Sequence, residues 1–365
     1  MAFYEQIKMY KDFDFESFLI KVTVQDVENV LAKEKPDVWD FLCLLSPAAT
    51  SHLKIMANIA NDLTIKNFGR VVLLYTPIYL ADYCLNECVY CSFNVKNNFK
   101  RSKLTMEELE KVASEISRTG LKHVLILTGE SREKTPVSYI EECTMLLRKF
   151  FTSVSVEVYP LEKLEYERLG AAGIDGITIY QEVYDEVIYE SLHKSGPKRN
   201  YHFRLDAAER AAEAGLRTVS IGALLGLNNF RTEVFFTGLH AQYLQKKYWD
   251  IEVGVSLPRF RPHLGNFTAL APVSDKYFVQ ALLALRIFLP RCGISISTRE
   301  DPLFRENILP MGVTRMSAGV STNVGGNLMH GETKSQFEIS DSRSVAEMRD
   351  MLKSKGYQTT FVDWR

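Results

Sequence analysis

Net charge is nearly absent from this 365-residue chain: 44 Lys and Arg stand against 45 Asp and Glu, leaving −1. Without a field of one sign there is nothing global to draw the chain onto nucleic acid or an anionic membrane, so neither partner is expected. Long apolar runs are lacking too. The longest without a charge near its middle, Val71 to Ala81, is too short for the ~20 residues of a membrane-spanning helix. The N-terminal residues carry Glu5, Lys8, Lys11 and Asp12 and no apolar signal core, which points to a cytoplasmic protein. No repeat of 20–50 residues is found, so a solenoid is not expected. No glycine-rich dinucleotide fingerprint follows the first β-rich run, which counts against a doubly wound sheet.

Cysteine is sparse and unevenly placed. Of six cysteines, Cys43, Cys143 and Cys292 are scattered in apolar surroundings and read as plain buried thiols. The other three, Cys84, Cys88 and Cys91, fall within eight residues. In a small secreted protein such crowding means disulfides; in a large chain without a signal segment it means metal binding.

What is present is a core-forming composition, 46% hydrophobic, and a regular alternation from residue 71 onward. β-rich runs are Val71–Tyr75, His123–Thr128, Val154–Val158, Gly173–Tyr180, Thr218–Leu224, Ile251–Leu257, Ile294–Thr298 and Val313–Ser317. Helix-like segments lie between them: Thr105–Arg118, Val137–Phe150, Leu161–Leu169, Leu205–Ala214, Thr232–Tyr248, Ser274–Leu289 and Pro302–Asn307. Thr105 with Glu108 has the spacing of a capping box, and Gly120, Gly173 and Gly215 stand where helices should stop. Eight strands alternating with helices predict an α/β fold, a (β/α)8 TIM-type barrel, with an open doubly wound sheet as the alternative. The expected organisation is an N-terminal helical extension over 1–70, the barrel over 71–339, and a short C-terminal tail over 340–365 that packs on the barrel as a final helix and strand.

Cys84-Leu-Asn-Glu-Cys88-Val-Tyr-Cys91 is a C-x3-C-x2-C pattern in the loop after the first strand, at the mouth of the expected barrel. Three thiolates can ligate three irons of a [4Fe–4S] cube and leave the fourth open to a small chelating molecule. The alternative is a structural zinc site, which closes with four ligands. No further Cys or His lies within about twenty residues to supply the fourth.

Barrel chemistry sits at the C-terminal ends of strands. There the sequence places Thr128-Gly129-Glu130, Glu157, Tyr180-Gln181-Glu182 followed by Lys198 and Arg204, Ser256 to Pro262, Ser297-Thr298-Arg299-Glu300, and Ser317. Arg299 and Ser317 should be neighbours on adjacent strands. An arginine fork with a hydroxyl beside it is a receptor for an amino-acid carboxylate. The plain alternative is a salt bridge from Arg299 to Glu300 or Asp301, and the other positions can be ordinary polar residues of a barrel rim.

The cysteine triad, with Tyr90 before its last member, resembles the radical S-adenosylmethionine superfamily. The resemblance implies a bound S-adenosylmethionine, an external one-electron reductant and release of a 5′-deoxyadenosyl radical. It implies that Tyr90 lies beside the adenine, that Gly129 and Glu130 grip the methionine amino group in place of the family's Gly-Gly-Glu element, that Glu157 holds the ribose diol, and that Arg204 pairs with the cofactor carboxylate. Further, Tyr180-Gln181-Glu182-Val183-Tyr184, Ser195-Gly196-Pro197-Lys198, Ser256-Leu257-Pro258-Arg259 and Ser297-Thr298-Arg299-Glu300 are similar to the aromatic amino-acid lyase group, over nearly the whole chain. No cysteine follows Cys292, and the ending Gly356 to Arg365 resembles that of the thiazole-biosynthesis branch. That branch implies cleavage of the Cα–Cβ bond of L-tyrosine to 2-iminoacetate (dehydroglycine) and p-cresol, with hand-off to a thiazole synthase. A related lyase acting on tryptophan, and a non-catalytic metal scaffold, are the rival readings.

Overall fold

The computed structural model describes residues 2–326 and 335–361. Eight parallel strands form a closed ring: β1 Val71–Ala81, β2 His123–Thr128, β3 Ser153–Glu157, β4 Gly176–Glu182, β5 Thr218–Ala223, β6 Glu252–Ser256, β7 Gly293–Ile296 and β8 Arg315–Ser317. Each pairs with the next, and β1 closes the ring by pairing with both β2 and β8. The fold is the TIM-type (β/α)8 barrel expected from the alternation.

Period-two alternation decides where the core lies. On the barrel strands Val72, Leu74, Val124, Ile126, Val154, Val156, Val219, Ile221 and Met316 are buried within the main apolar core. Their alternates Tyr75, Leu125, Ser155, Tyr180, Ser220, Ser256 and Ser295 line the barrel interior, which is therefore polar. Helices at Met106–Arg118, Val137–Leu147, Lys163–Ala172, Ala207–Glu213, Phe230–Lys247, Asp275–Phe288 and Pro302–Ile308 follow the strands in turn. The Thr105–Glu108 capping box is formed, and Gly173 ends the Lys163–Ala172 helix in a left-handed conformation.

β1 runs six residues beyond the expected Val71–Tyr75, through Pro77. Proline cannot donate to a ladder. Tyr75 accepts from Ala318 N on the β8 flank, so Pro77, two residues on, faces the same flank beyond the last residue of β8. Its missing N–H costs no strand pairing, and β2 continues the ladder on the other side.

The N-terminal segment is helical, as expected, with helices at Phe3–Lys8, Phe15–Lys21, Val24–Leu31, Val38–Leu44 and Leu53–Phe68. It packs on the outer helices. Phe41 stacks on Phe288 at 4.5 Å, and a Cβ at Gly238 would fall 2.5 Å from the Phe41 ring. After the barrel come a helix at Val345–Ser354 and a strand β9, Gln358–Thr360. Leu73 is paired with both Arg315 of β8 and Thr360, so β9 lies on the opposite flank of β1, below β2. Residues 362–365 of the expected tail lie outside the described residues.

A buried ion pair fixes the start of this tail. Arg305 and Asp341 are both fully buried and paired, Arg305 Nη2 donates to Ser317 O at 2.6 Å, and Arg343 donates to both carboxylate oxygens of Asp341. Burial raises the Asp341 carboxyl, but the hydrogen bond from Arg343 and the charge of Arg305 outweigh it and hold the group below its ordinary value. With the folded pKa depressed, this contribution is full at neutral pH and is lost only as the pH falls below the ordinary carboxyl value of 3.8. Asp341→Ala leaves Arg305 buried without its main counter-ion. It is expected to cost about 3–5 kcal/mol, read from chemical denaturation at neutral pH.

Candidate active site

The loop from 82 to 104 has no regular structure of its own, so its backbone groups need partners elsewhere. The Arg101 guanidinium reaches the carbonyls of Asp82, Phe93 and Asn94 at 2.8, 2.9 and 2.7 Å. Asn94 and Asn97 side chains bind the carbonyls of Cys88 and Ser92, each at 2.9 Å. On the other side Val89 N binds Leu192 O at 3.1 Å, while Lys194 N and Glu87 O, and Glu87 N and Ser195 O, pair at 3.0 Å. Residues 87–89 are thus laced to 192–195 like two antiparallel strands, with Cys88 opposite His193.

Two close approaches require glycine. A Cβ at Gly129 would lie 2.3 Å from Tyr83 O, and one at Gly196 would lie 2.5 Å from Asn86 Oδ1. Between these contacts Asn86 acts as a hub: its Nδ2 donates to Glu130 at 2.6 Å and lies 3.6 Å from Cys84 Sγ, while its Oδ1 accepts from Lys198 N at 2.8 Å.

All ten residues singled out in the sequence line one cavity at the C-terminal mouth: Cys84, Cys88, Cys91, Tyr90, Gly129, Glu130, Glu157, Arg204, Arg299 and Ser317. The three thiols are free. Burial pushes Cys91 up to about 11 and Cys88 higher still, so metal binding at these thiols must release protons. Among the described residues no three His, Cys, Asp or Glu side chains are gathered around a single ion. The donors fit a [4Fe–4S] cluster with S-adenosylmethionine beside it: three thiols converge on the cavity mouth, and next to them the buried Thr128 hydroxyl has no protein partner.

Beneath the thiols lies a charged layer. Glu182, at the end of β4, has φ +71°, a left-handed backbone that a non-glycine residue seldom adopts. Its carboxylate accepts from Lys198 Nζ at 2.7 Å and lies 3.6 Å from Arg204 Nη2. Burial raises it, but Lys198 and Arg204 outweigh burial and keep it below the usual carboxyl range. Arg204 is further tied to Tyr180 O at 2.6 Å. Glu157 is treated oppositely: burial first, then the nearby Glu182 charge, push it up to about 7 against the pull of Arg299 and Arg204. Sequence reasoning placed Glu182 and Lys198 near strand four but gave neither a role. The signal was the run of charges after Tyr180, which does not show that Lys198 folds back onto Glu182.

Arg299 faces the cavity without a carboxylate partner among the described residues. Its guanidinium lies 3.4 Å over the Phe337 ring. The two acids that follow it are taken: Glu300 is held by Arg259, and Asp301 caps the Pro302–Ile308 helix through Leu303 N and Phe304 N. Ser317 Oγ accepts from Thr298 N at 3.1 Å, so the tops of β7 and β8 are joined beside Arg299.

Residues 78–234 match the family model of the radical SAM superfamily, and residues 256–358 match the biotin and thiamin synthesis associated domain. The chain is 35% identical to a 2-iminoacetate synthase of Salmonella typhimurium, over 94% of this chain and 91% of that protein. It is 33% identical to a 2-iminoacetate synthase of Escherichia coli, over 97% of this chain and 95% of that one. A solved structure of HydG, a maturase of the [FeFe]-hydrogenase, superposes with a TM-score of 0.91 at 30% identity, covering 96% of this chain and 80% of that one.

With its folded pKa raised above the ordinary 4.5, Glu157 leaves stability intact at low pH and removes it as the pH rises through about 7. Glu157→Gln is therefore expected to match the parent protein at about pH 4, below the ordinary value, and to exceed it at about pH 8, measured by thermal unfolding without ligands.

Proposed function

Because this chain belongs to the 2-iminoacetate synthase family of the radical S-adenosylmethionine superfamily, we propose that its cavity binds L-tyrosine and breaks the Cα–Cβ bond, yielding 2-iminoacetate and p-cresol for the thiazole of thiamine. When bound, the cluster and S-adenosylmethionine supply a 5′-deoxyadenosyl radical, given one electron from an external reductant, and p-cresol is completed by a second electron and a proton. Cys84, Cys88 and Cys91 hold the cluster. Tyr90 flanks the adenine, Glu157 takes the ribose hydroxyls, Gly129 and Glu130 receive the methionine amino group, and Arg204 faces the cofactor carboxylate.

The observation that carries the substrate reading is Arg299, a half-buried guanidinium with no carboxylate partner among the described residues, opening on the cavity. Burial lowers its pKa from the ordinary arginine value. An amino-acid carboxylate supplies the missing counter-charge by a two-pronged hydrogen bond. Ser317 beside it donates one more. Held this way, tyrosine presents its amino group to the radical, and the polar cavity wall limits how far it can turn. 2-Iminoacetate hydrolyses readily in water, which favours transfer to a thiazole synthase partner over free release. No helix among the described residues is long and apolar enough to cross a membrane.

The test is the ratio of p-cresol to deoxyadenosine under anaerobic conditions with tyrosine. Arg299→Lys keeps the charge and loses the planar fork. Tyrosine binding should weaken and the ratio should fall by about a hundredfold, because a small misplacement of the reacting hydrogen is costly. Ser317→Ala should have a smaller effect of the same kind, since it removes one neutral hydrogen bond worth about 1 kcal/mol. An unchanged ratio and tyrosine affinity in Arg299→Lys would place the carboxylate receptor elsewhere. Consumption of tryptophan in place of tyrosine would favour the related lyase.

A further inference from the structure

We propose that His193 is a positioning residue that fixes the plane of the Tyr90 ring for the nucleoside of S-adenosylmethionine and couples that ring to the backbone of Cys88. This rests on the placement of Tyr90 beside the adenine given above.

His193 is fully buried, and both of its ring nitrogens are engaged. Nδ1 lies 2.7 Å from Tyr189 O, a carbonyl that can only accept, so Nδ1 carries the proton. Nε2 is then bare and accepts from the Tyr90 hydroxyl, 2.6 Å away. The two rings meet edge to face, with centroids 5.5 Å apart and planes at 88°. The far side of His193 lies against the Tyr189 ring at 3.9 Å, and Tyr189 itself donates to Lys198 O at 2.6 Å. The imidazole therefore cannot turn without breaking contacts on three sides. A tyrosine ring ordinarily turns about two side-chain bonds; here the hydroxyl at its far end is pinned as well.

The same histidine is paired through its backbone with Cys88. Side chain and backbone together clamp both ends of the Cys88–Tyr90 stretch to the chain that follows β4. Lys198 closes the arrangement from the cavity side, with Nζ 5.6 Å from the Tyr90 ring centre. Position 193 lies about a hundred residues after the cysteine loop, at the end of a helix and outside any motif. Its only signal is that the fold brings it to Tyr90.

The experiment uses reconstituted full-length protein and S-adenosylmethionine as the probe. Affinity is measured in the dark, together with iron content and the change in the electron paramagnetic resonance of the reduced cluster on binding. Tyr90→Phe and His193→Phe remove the same hydrogen bond from its two ends. Each is expected to weaken S-adenosylmethionine binding about three- to tenfold, with iron content unchanged. The double variant should be no weaker than either single one, because only one interaction is lost. His193→Gln, which restores an acceptor, should recover most of the affinity and the parent spectrum. Two results overturn the proposal: unchanged affinity and spectrum in Tyr90→Phe, or additive losses in the double variant, which would leave His193 a packing residue only. Tyr90→Ala separates the underlying reading. If it too binds with parent affinity, Tyr90 does not meet the nucleoside at all; if it weakens binding while Tyr90→Phe does not, Tyr90 is placed correctly and only the role of His193 fails.

Discussion

Everything at the mouth of this barrel depends on how one unsupported loop satisfies its own backbone. Residues 82–104 carry the thiols but belong to no helix or barrel strand. Arg101 meets the need from within, by binding four carbonyls of the loop with one planar group. Asn86 meets it from the outside, by joining the loop to Glu130 after β2 and to Lys198 after β4. A third support comes from the β6 side. His263 Nε2 lies 3.1 Å from Val89 O, Leu264 N donates to Ser92 Oγ at 2.9 Å, and Phe260 and Phe267 pack against the apolar group around Cys88 and Tyr90. Three distant parts of the sequence thus hold one loop, and the thiols inherit their geometry from that grip.

The cavity below shows how a low-dielectric site can keep two acids in different states. Glu182 is neutralised at once by Lys198 and Arg204, and its strained backbone is the cost of that placement. Glu157 has no such partner among the described residues; burial first, and then repulsion by Glu182, disfavour its charge. Arg299 offsets part of that penalty from across the cavity. The imbalance lies on the cation side at Arg299 and on the acid side at Glu157, where a zwitterionic amino acid and a ribose can each complete the charges and hydrogen bonds.

The barrel was legible because period-two strands and capped helices alternate without interruption, and the triad was legible because its chemistry needs only spacing. The expected strand Val71–Tyr75 is shorter than β1, which runs on through Pro77, and only the three-dimensional end of β8 shows that a proline is harmless there. Arg299 was placed at the mouth by its position after β7. That Glu300 and Asp301 do not neutralise it depends on Arg259 and on a helix cap, neither of which lies in the local pattern. The ties of Lys198 to Glu182 and of His193 to Tyr90 were illegible for the same reason: each joins segments that periodicity treats separately.

The seam of the barrel has a consequence for how the molecule is made. β1 is the first strand to leave the ribosome, yet two of its neighbours, β8 on one flank and β9 on the other, are among the last. Until Ser317 and Thr360 have been synthesised, half of β1 has no partner, and the loop that follows it hangs from an open edge. Iron offered to the thiols during that interval would meet a chain that has not yet been given a mouth. Closure of the ring around β1 is thereby ordered in time behind synthesis of its last strands, after the segments that grip the thiol loop have already been made.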